Sequence, residues 1–168
     1  MFYIILLILL IAICYKWGDW RNWQKYQSTI LFFTLGDFLY MGLTYLKPLW
    51  DYDTNFAKGI YDNLFVNFTI FPCTILLFIP RFPEGIKKQV LYILKWVVIY
   101  TSVEWLATLL HSFQQENGWT IWYSLTFNFV MFPLLWLHYK KPLLAYLGSF
   151  VVAVTILWLF KIPVNDIW

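Results

Sequence analysis

Pro142-Leu143-Leu144-Ala145-Tyr146-Leu147-Gly148-Ser149-Phe150-Val151-Val152-Ala153-Val154-Thr155-Ile156-Leu157-Trp158-Leu159-Phe160 runs for nineteen residues without a charge. A helix rises about 1.5 Å per residue, so a run of this length matches the ~30 Å hydrocarbon of a bilayer. Comparable apolar runs occupy residues 2–17, 28–47, 60–80, 87–110 and 119–138. Charges and turn residues punctuate them: Lys16 to Lys25, Pro48 to Asp53, Arg81 to Gly85, Gln114 to Gly118, and Lys140-Lys141-Pro142. The pattern predicts one integral membrane domain over 1–168, an all-α polytopic bundle of about six transmembrane helices.

Composition points the same way. Hydrophobic residues make up 61% of the 168 and charged residues 12%, against about 25% charged in an ordinary soluble domain. A chain this small has too little interior to bury that much apolar surface away from water. Many of the 11 Trp and 12 Tyr flank the apolar runs, as amphipathic rings do at headgroup depth. A net charge of +3 is too small to argue for nucleic acid. The two cysteines, Cys14 and Cys73, both lie inside apolar runs, which argues against a disulfide framework or a zinc site. The first run lacks a positive start and a small-residue cleavage site and is expected to remain as a helix.

The cations assign an orientation. Lys16, Arg21, Lys25, Arg81, Lys87, Lys88, Lys140 and Lys141 fall after the first, third and fifth runs; Lys47, Lys58 and Lys161 fall on the other side. Positive loops stay in the cytoplasm, so both termini are expected outside the cell. Lys95 is expected to snorkel to the inner interface.

Asn67-Phe68-Thr69-Ile70-Phe71-Pro72 is echoed 61 residues later by Asn128-Phe129-Val130-Met131-Phe132-Pro133. The offset maps the third run onto the fifth in the same direction and suggests a parallel repeat of helical hairpins. Pro72 and Pro133 each remove a backbone donor and crowd the carbonyl four residues earlier, so kinks are expected there. Asn67 and Asn128 are placed to donate amides to neighbouring helices.

The informative side chains are polar ones inside apolar runs. Asp37 and Glu104 sit where a carboxylate costs about 2.5–3.5 kcal/mol, and each should face the bundle interior with a partner. Thr101, Glu104, Thr108 and His111 follow helical spacing on one stripe, as do Phe33, Gly36, Asp37, Tyr40 and Thr44. Gly36 is expected to let another backbone approach beside the carboxylate. Asn63 and Asn67 share a face, with Asp62 adjacent. By helical rise Asp37, Asn67 and Glu104 lie roughly 9–15 Å below the outer ends of their helices, with His111 at the rim. If these stripes converge they form an outward-open acidic pocket of Asp37, Glu104, His111, Asn63, Asn67, Asn128, Tyr40 and Thr108 for a small ligand, a cation or a proton. The bland alternative is polar glue that fixes helix packing.

Ala145, Ser149 and Ala153 form a small-residue stripe suited to close helix contact, within the chain or between two copies. No phosphate loop, serine-nucleophile elbow or HExxH motif occurs. No cofactor is implied, and no metal site is assigned.

Several stretches carry a resemblance. They are Trp17-Gly18-Asp19-Trp20-Arg21-Asn22-Trp23 with Tyr26 and Thr29-Ile30-Leu31-Phe32-Phe33, then Gly36-Asp37-Phe38-Leu39-Tyr40 and Leu49-Trp50. Phe71-Pro72 with Leu76 and Pro80, and Glu104 with His111, complete the set. Together they resemble a family of small multi-pass membrane proteins of Bacillus, Clostridium and related spore-forming Gram-positive bacteria. The resemblance implies a bacterial plasma membrane and six helices, and it supplies no activity.

The leading functional expectation is therefore a sensor- or transporter-like membrane protein with an outward-facing acidic site. One alternative is an intramembrane enzyme acting on a lipid or lipid-linked group, with Glu104 as base and His111 as acid, or the two holding a metal. Another is a membrane scaffold without a small ligand.

Overall fold

The computed structural model describes residues 2–53 and 60–163; Lys58, one of the three cations expected on the outer side, lies outside them. The chain is mostly helical: α1 Phe2–Trp17, α2 Gln27–Leu43, α3 Ile60–Phe78, α4 Ile86–Leu109, α5 Ile121–Lys140 and α6 Pro142–Leu159, with 3-10 segments at Trp20–Lys25 and Ile79–Arg81. Among the described residues three stretches are long and apolar enough to cross a membrane: Tyr61–Arg81, Ile86–Leu109 and Pro142–Leu159; the apolar helix Ile5–Trp17 is shorter. On α6, Leu143, Phe150, Val151 and Trp158 are exposed at 80%, 69%, 63% and 79%. Water does not tolerate such a surface and lipid does, so the fold fits a membrane protein.

The helix ends have local causes. α2 stops at Leu43, short of residue 47: Thr44 still bonds the Tyr40 carbonyl through its N–H at 2.9 Å and its hydroxyl at 2.8 Å, but its backbone, at φ −106° and ψ 11°, has left the helical region. Gly85, at φ 88°, opens α4. α4 and α6 close alike: His111 N–H reaches Thr108 O and Ser112 N–H reaches Ala107 O, while Lys161 and Ile162 do the same onto Trp158 and Leu157. Both are Schellman caps, which place the residue after the cap in the left-handed region. His111 at φ 53° and Lys161 at φ 50° fill that position without being glycine. Pro142 begins α6, and Lys141 before it is forced out of the helical region, which breaks α5 from α6.

α3 and α5 form the centre. α3 packs against α1 and α2, and α5 against α4, α6 and α2. Both carry their proline inside a continuous helix. At the end where α3 meets α4, Phe78 is fully buried among the rings of Phe82, Tyr92, Trp96 and Phe132, with centroids 5.1–5.7 Å away. Emptying that position to alanine would cost about 3–5 kcal/mol. Pro80 frees the carbonyl of Leu76, and the backbone N–H of Asp19 takes it at 3.2 Å. This bond pins the corner after α1 to the end of α3. Gly18 makes that corner possible, since a Cβ there would lie 2.4 Å from Cys14 O.

β1 (Trp50–Tyr52) pairs antiparallel with β2 (Phe113–Gln115), Trp50 opposite Gln115 and Tyr52 opposite Phe113. The α2–α3 and α4–α5 connections, the latter read as a Gln114–Gly118 loop, thus join into a two-stranded lid. Beneath it lies a second apolar cluster of Leu49, Trp119 and Ile162. Lys47 ties the same end together, its Nζ bonded to the carbonyl of Phe160 at the C-terminus of α6 at 2.7 Å.

The small-residue stripe turns inward at its start. Ala145 is fully buried, and a Cβ on Gly148 would meet Leu134 of α5 at 2.8 Å. Gly36, by contrast, is exposed with open space where a Cβ would stand. It admits no neighbouring backbone, because it is rotated about 100° from the buried Asp37 beside it.

Candidate functional site

Asp37 and Asn67 meet between α2 and α3. Asn67 is fully buried and Asp37 is 9% exposed. Asn67 Nδ2 donates to Asp37 Oδ2 at 2.6 Å and to the Asn63 carbonyl at 2.9 Å. Both amide donors are thereby used, and the other end of the amide is not: Asn67 Oδ1 is buried with no hydrogen-bond partner. Phe33, one turn inward of Asp37, stacks on Phe71 of α3 at 3.8 Å and closes the site on that side. The site therefore presents a carboxylate and a bare amide oxygen, acceptors only.

Asn63, one turn outward on α3, is buried, as is Asp62 beside it. Above them stands Asp51 of β1, in hydrogen-bond contact with the Asn63 side chain and in the field of Asp62 and Glu116. Burial, reinforced by those two carboxylates, raises the Asp51 carboxyl above its ordinary value, against the stabilising Tyr52 N–H it accepts at 2.9 Å. A line of carboxylates and amides thus leads from the lid through Asn63 to Asn67 and Asp37.

Tyr40 fastens the lid above this line. Its hydroxyl accepts the N–H groups of Leu49 at 2.9 Å and Trp50 at 2.7 Å and donates to Trp50 O at 2.8 Å. Its ring lies parallel to that of Trp50, 3.7 Å away.

Glu104 belongs to a different network. Its Oε1 accepts from Ser124 Oγ of α5 and from Gln115 Nε2 of β2 at 3.1 Å, and Trp119 Nε1 donates to the same Ser124 Oγ at 2.8 Å. Glu104 thus fastens β2 as Tyr40 fastens β1. Thr108 bonds back to the Glu104 carbonyl of its own helix at 3.0 Å. Asn128 donates to Thr101 of α4 at 3.2 Å. Among the described residues no hydrogen bond joins the Asp37 pair to the Glu104 network. His111 is exposed, lies beyond the last turn of α4, and has no hydrogen bond to Glu104. The α4 stripe therefore ends at Thr108. Among the described residues no three His, Cys, Asp or Glu side chains gather as a metal-binding group.

The echoed segments are oriented alike. Asn67 and Asn128 point inward, Phe68 and Phe129 outward at 67% and 45% exposure, and Phe71 and Phe132 inward again. Each asparagine donates across to the preceding helix, α2 or α4.

Sequence reasoning missed a buried histidine. His138 near the end of α5 bonds through Nδ1 to Thr29 Oγ1 at 3.1 Å and stacks on Phe32 at 4.1 Å. Thr29 on the first turn of α2 is fully buried and, as a buried hydroxyl requires a partner, takes His138; nothing in the sequence marks that burial. Ser124 and Gln115 were missed because each lies outside the helix stripe that carries Glu104. No family model, curated protein or solved structure matches this chain.

Proposed function

We propose that this chain is a six-span membrane protein whose outward side admits a proton or a monovalent cation along Asp51 and Asn63 to a site formed by Asp37 and Asn67. It would act as a sensor- or transporter-like component. The observation that carries the reading is the buried, unpartnered Oδ1 of Asn67 in the same amide that bonds Asp37. An orphaned acceptor beside a carboxylate is costly unless a donor or cation visits it. One carboxylate matches one positive charge, which favours a monovalent guest over a divalent one. Eight cations against three support external termini. The shared orientation of the two Asn-Phe-Pro segments supports a parallel hairpin duplication. The plasma membrane of a spore-forming Gram-positive bacterium rests on the sequence resemblance. Glu104, held by Ser124 and Gln115, is assigned to fastening the lid rather than to the site.

The test is reconstitution of the full chain in liposomes, with proton, Na⁺, K⁺ and NH₄⁺ gradients applied in turn and Trp fluorescence recorded in parallel. Asp37→Asn keeps an acceptor for Asn67 Nδ2 and removes the charge. Wild type should respond to at least one gradient by flux or by fluorescence, and the variant should lose that response while remaining folded. A wild type silent in every arm, or a variant responding equally, would overturn the proposal. Cysteine labelling from outside should reach position 117 and fail at position 87 until the membrane is permeabilised; the reverse would move the site to the cytoplasmic side.

A further inference from the structure

The end of the bundle opposite the lid carries a surface that neither the acidic site nor the core uses. The Trp20–Lys25 segment is a 3-10 helix kinked at Asn22. It leaves Trp20 and Trp23 exposed at 42% and 46%, and Trp17 at the end of α1, three residues before it, is exposed at 48%. The segment is held firmly. Asp19 N–H is bonded to Leu76 O, Trp20 Nε1 to Cys14 O at 2.7 Å, and Tyr26 packs on Tyr139 with ring centroids 5.8 Å apart.

Those anchors bring cations together. Arg21 and Lys25 lie on the segment, are exposed, and have no hydrogen-bond partner among the described residues. Lys16 lies over the Trp17 ring at 4.6 Å. Lys140 lies over Trp136 at 4.7 Å and over Tyr139 at 5.4 Å, the ring that touches Tyr26. Arg81 ends the 3-10 turn that follows α3, five residues beyond the carbonyl that pins Asp19. Asp19, which precedes the segment, is engaged locally: its carboxylate accepts Tyr26 Oη at 2.7 Å and Asn22 Nδ2 at 2.9 and 3.2 Å. Those donors, the Tyr26 hydroxyl first, hold it ionised below the ordinary range.

We infer that this corner is a binding site for the headgroup of an anionic phospholipid. Arg21 and Lys25 would receive the phosphate, Lys16 and Lys140 would flank it, and Trp17, Trp20 and Trp23 would form the wall against its glycerol and upper acyl chain. Guanidinium and ammonium groups left with unused donors match a phosphate, and a row of exposed indoles is what headgroup depth favours. A free phosphate would use the cations and leave the three indoles without a role, so the lipid is the occupant that accounts for both halves of the surface. The site is independent of the Asp37 proposal and of which compartment this end faces.

The test is native mass spectrometry of the full chain in detergent, titrated with phosphatidylglycerol or phosphatidylcholine and, separately, with phosphatidylglycerol in the presence of inorganic phosphate. One phosphatidylglycerol should be retained saturably, phosphatidylcholine should not, and millimolar phosphate should not displace it. Arg21→Gln with Lys25→Gln should weaken retention roughly tenfold or more. Lys87→Gln with Lys88→Gln removes the same charge at the start of α4, where among the described residues no ring contact or hydrogen bond joins either lysine to the segment, and should leave retention unchanged. Trp23→Leu, which keeps all the charges, should also weaken it. Equal retention of the two lipids, equal loss in the two double variants, displacement by phosphate, or no effect of Trp23→Leu would each overturn the inference.

Discussion

Tyr40→Phe tests whether one hydroxyl holds the lid shut. The substitution keeps the ring that lies 3.7 Å from Trp50 and removes only the atom that bonds Leu49 N–H, Trp50 N–H and Trp50 O. Three hydrogen bonds at about 1 kcal/mol each give about 3 kcal/mol. Leu49 is fully buried, so its orphaned N–H finds no water and keeps the loss near that figure. About 3 kcal/mol is roughly a hundredfold in an opening equilibrium. Hydrogen–deuterium exchange read by peptide should show residues 46–53 and 112–118 exchanging about a hundredfold faster, up to the limit set by global unfolding. Peptides from the centres of α3 and α5 should be unchanged. Wild-type exchange in the lid would refute the reasoning, and equal acceleration in α3 and α5 would show that Tyr40 supports the whole bundle instead.

Gly18→Ala should lower the melting temperature sharply, by about 2–3 kcal/mol of stability, because its Cβ would meet the Cys14 carbonyl at 2.4 Å; Gly148→Ala, which meets only the tip of Leu134, should cost visibly less. His111→Gly should stabilise α4 by about 0.5–1 kcal/mol, measured by thermal unfolding in detergent, since the position demands φ 53°; a loss would mean that the imidazole contributes more than the cap. The Asp51 carboxyl is raised in the folded chain, so the fold binds the proton more tightly than the unfolded chain does. Lid stability should therefore fall as pH rises from the ordinary carboxylate range through the raised value, then level off. Asp51→Asn should flatten that dependence in a pH series of lid exchange rates, and an unchanged slope would assign the dependence to another group.

The sequence marks Asp37 as a carboxylate that must find a donor in an apolar helix and Asn67 as an amide free to donate to a neighbouring helix, but it groups both with Glu104 and His111 and does not single out the pair. The lid was not legible. Its strands are three residues each, lie some sixty residues apart, and show no alternation; they pair only because α2 and α4 deliver the two connections to the same place. His111 was misread because its spacing continues the Thr101–Thr108 stripe across a helix end that no glycine announces. Gly36 was misread because small size was taken for proximity, while its neighbour Asp37 alone occupies the buried face. His138 went unnoticed beside Lys140 and Lys141, where an imidazole passes for one more loop cation.

The pairing of β1 with β2 also imposes an order on biosynthesis. Asp37 and Asn67 are thirty residues apart, so α2 and α3 can leave the ribosome and enter the membrane as a unit with that pair already made. β1 is then complete but has nothing to pair with until residues 113–115 have emerged behind α4. Through that interval three extended residues rich in aromatic side chains stand with unsatisfied backbone groups, the condition in which strand edges recruit foreign partners. A nascent chain stalled between α3 and α4 should therefore be the form of this protein most prone to cross-linking with neighbours and most dependent on an insertion chaperone.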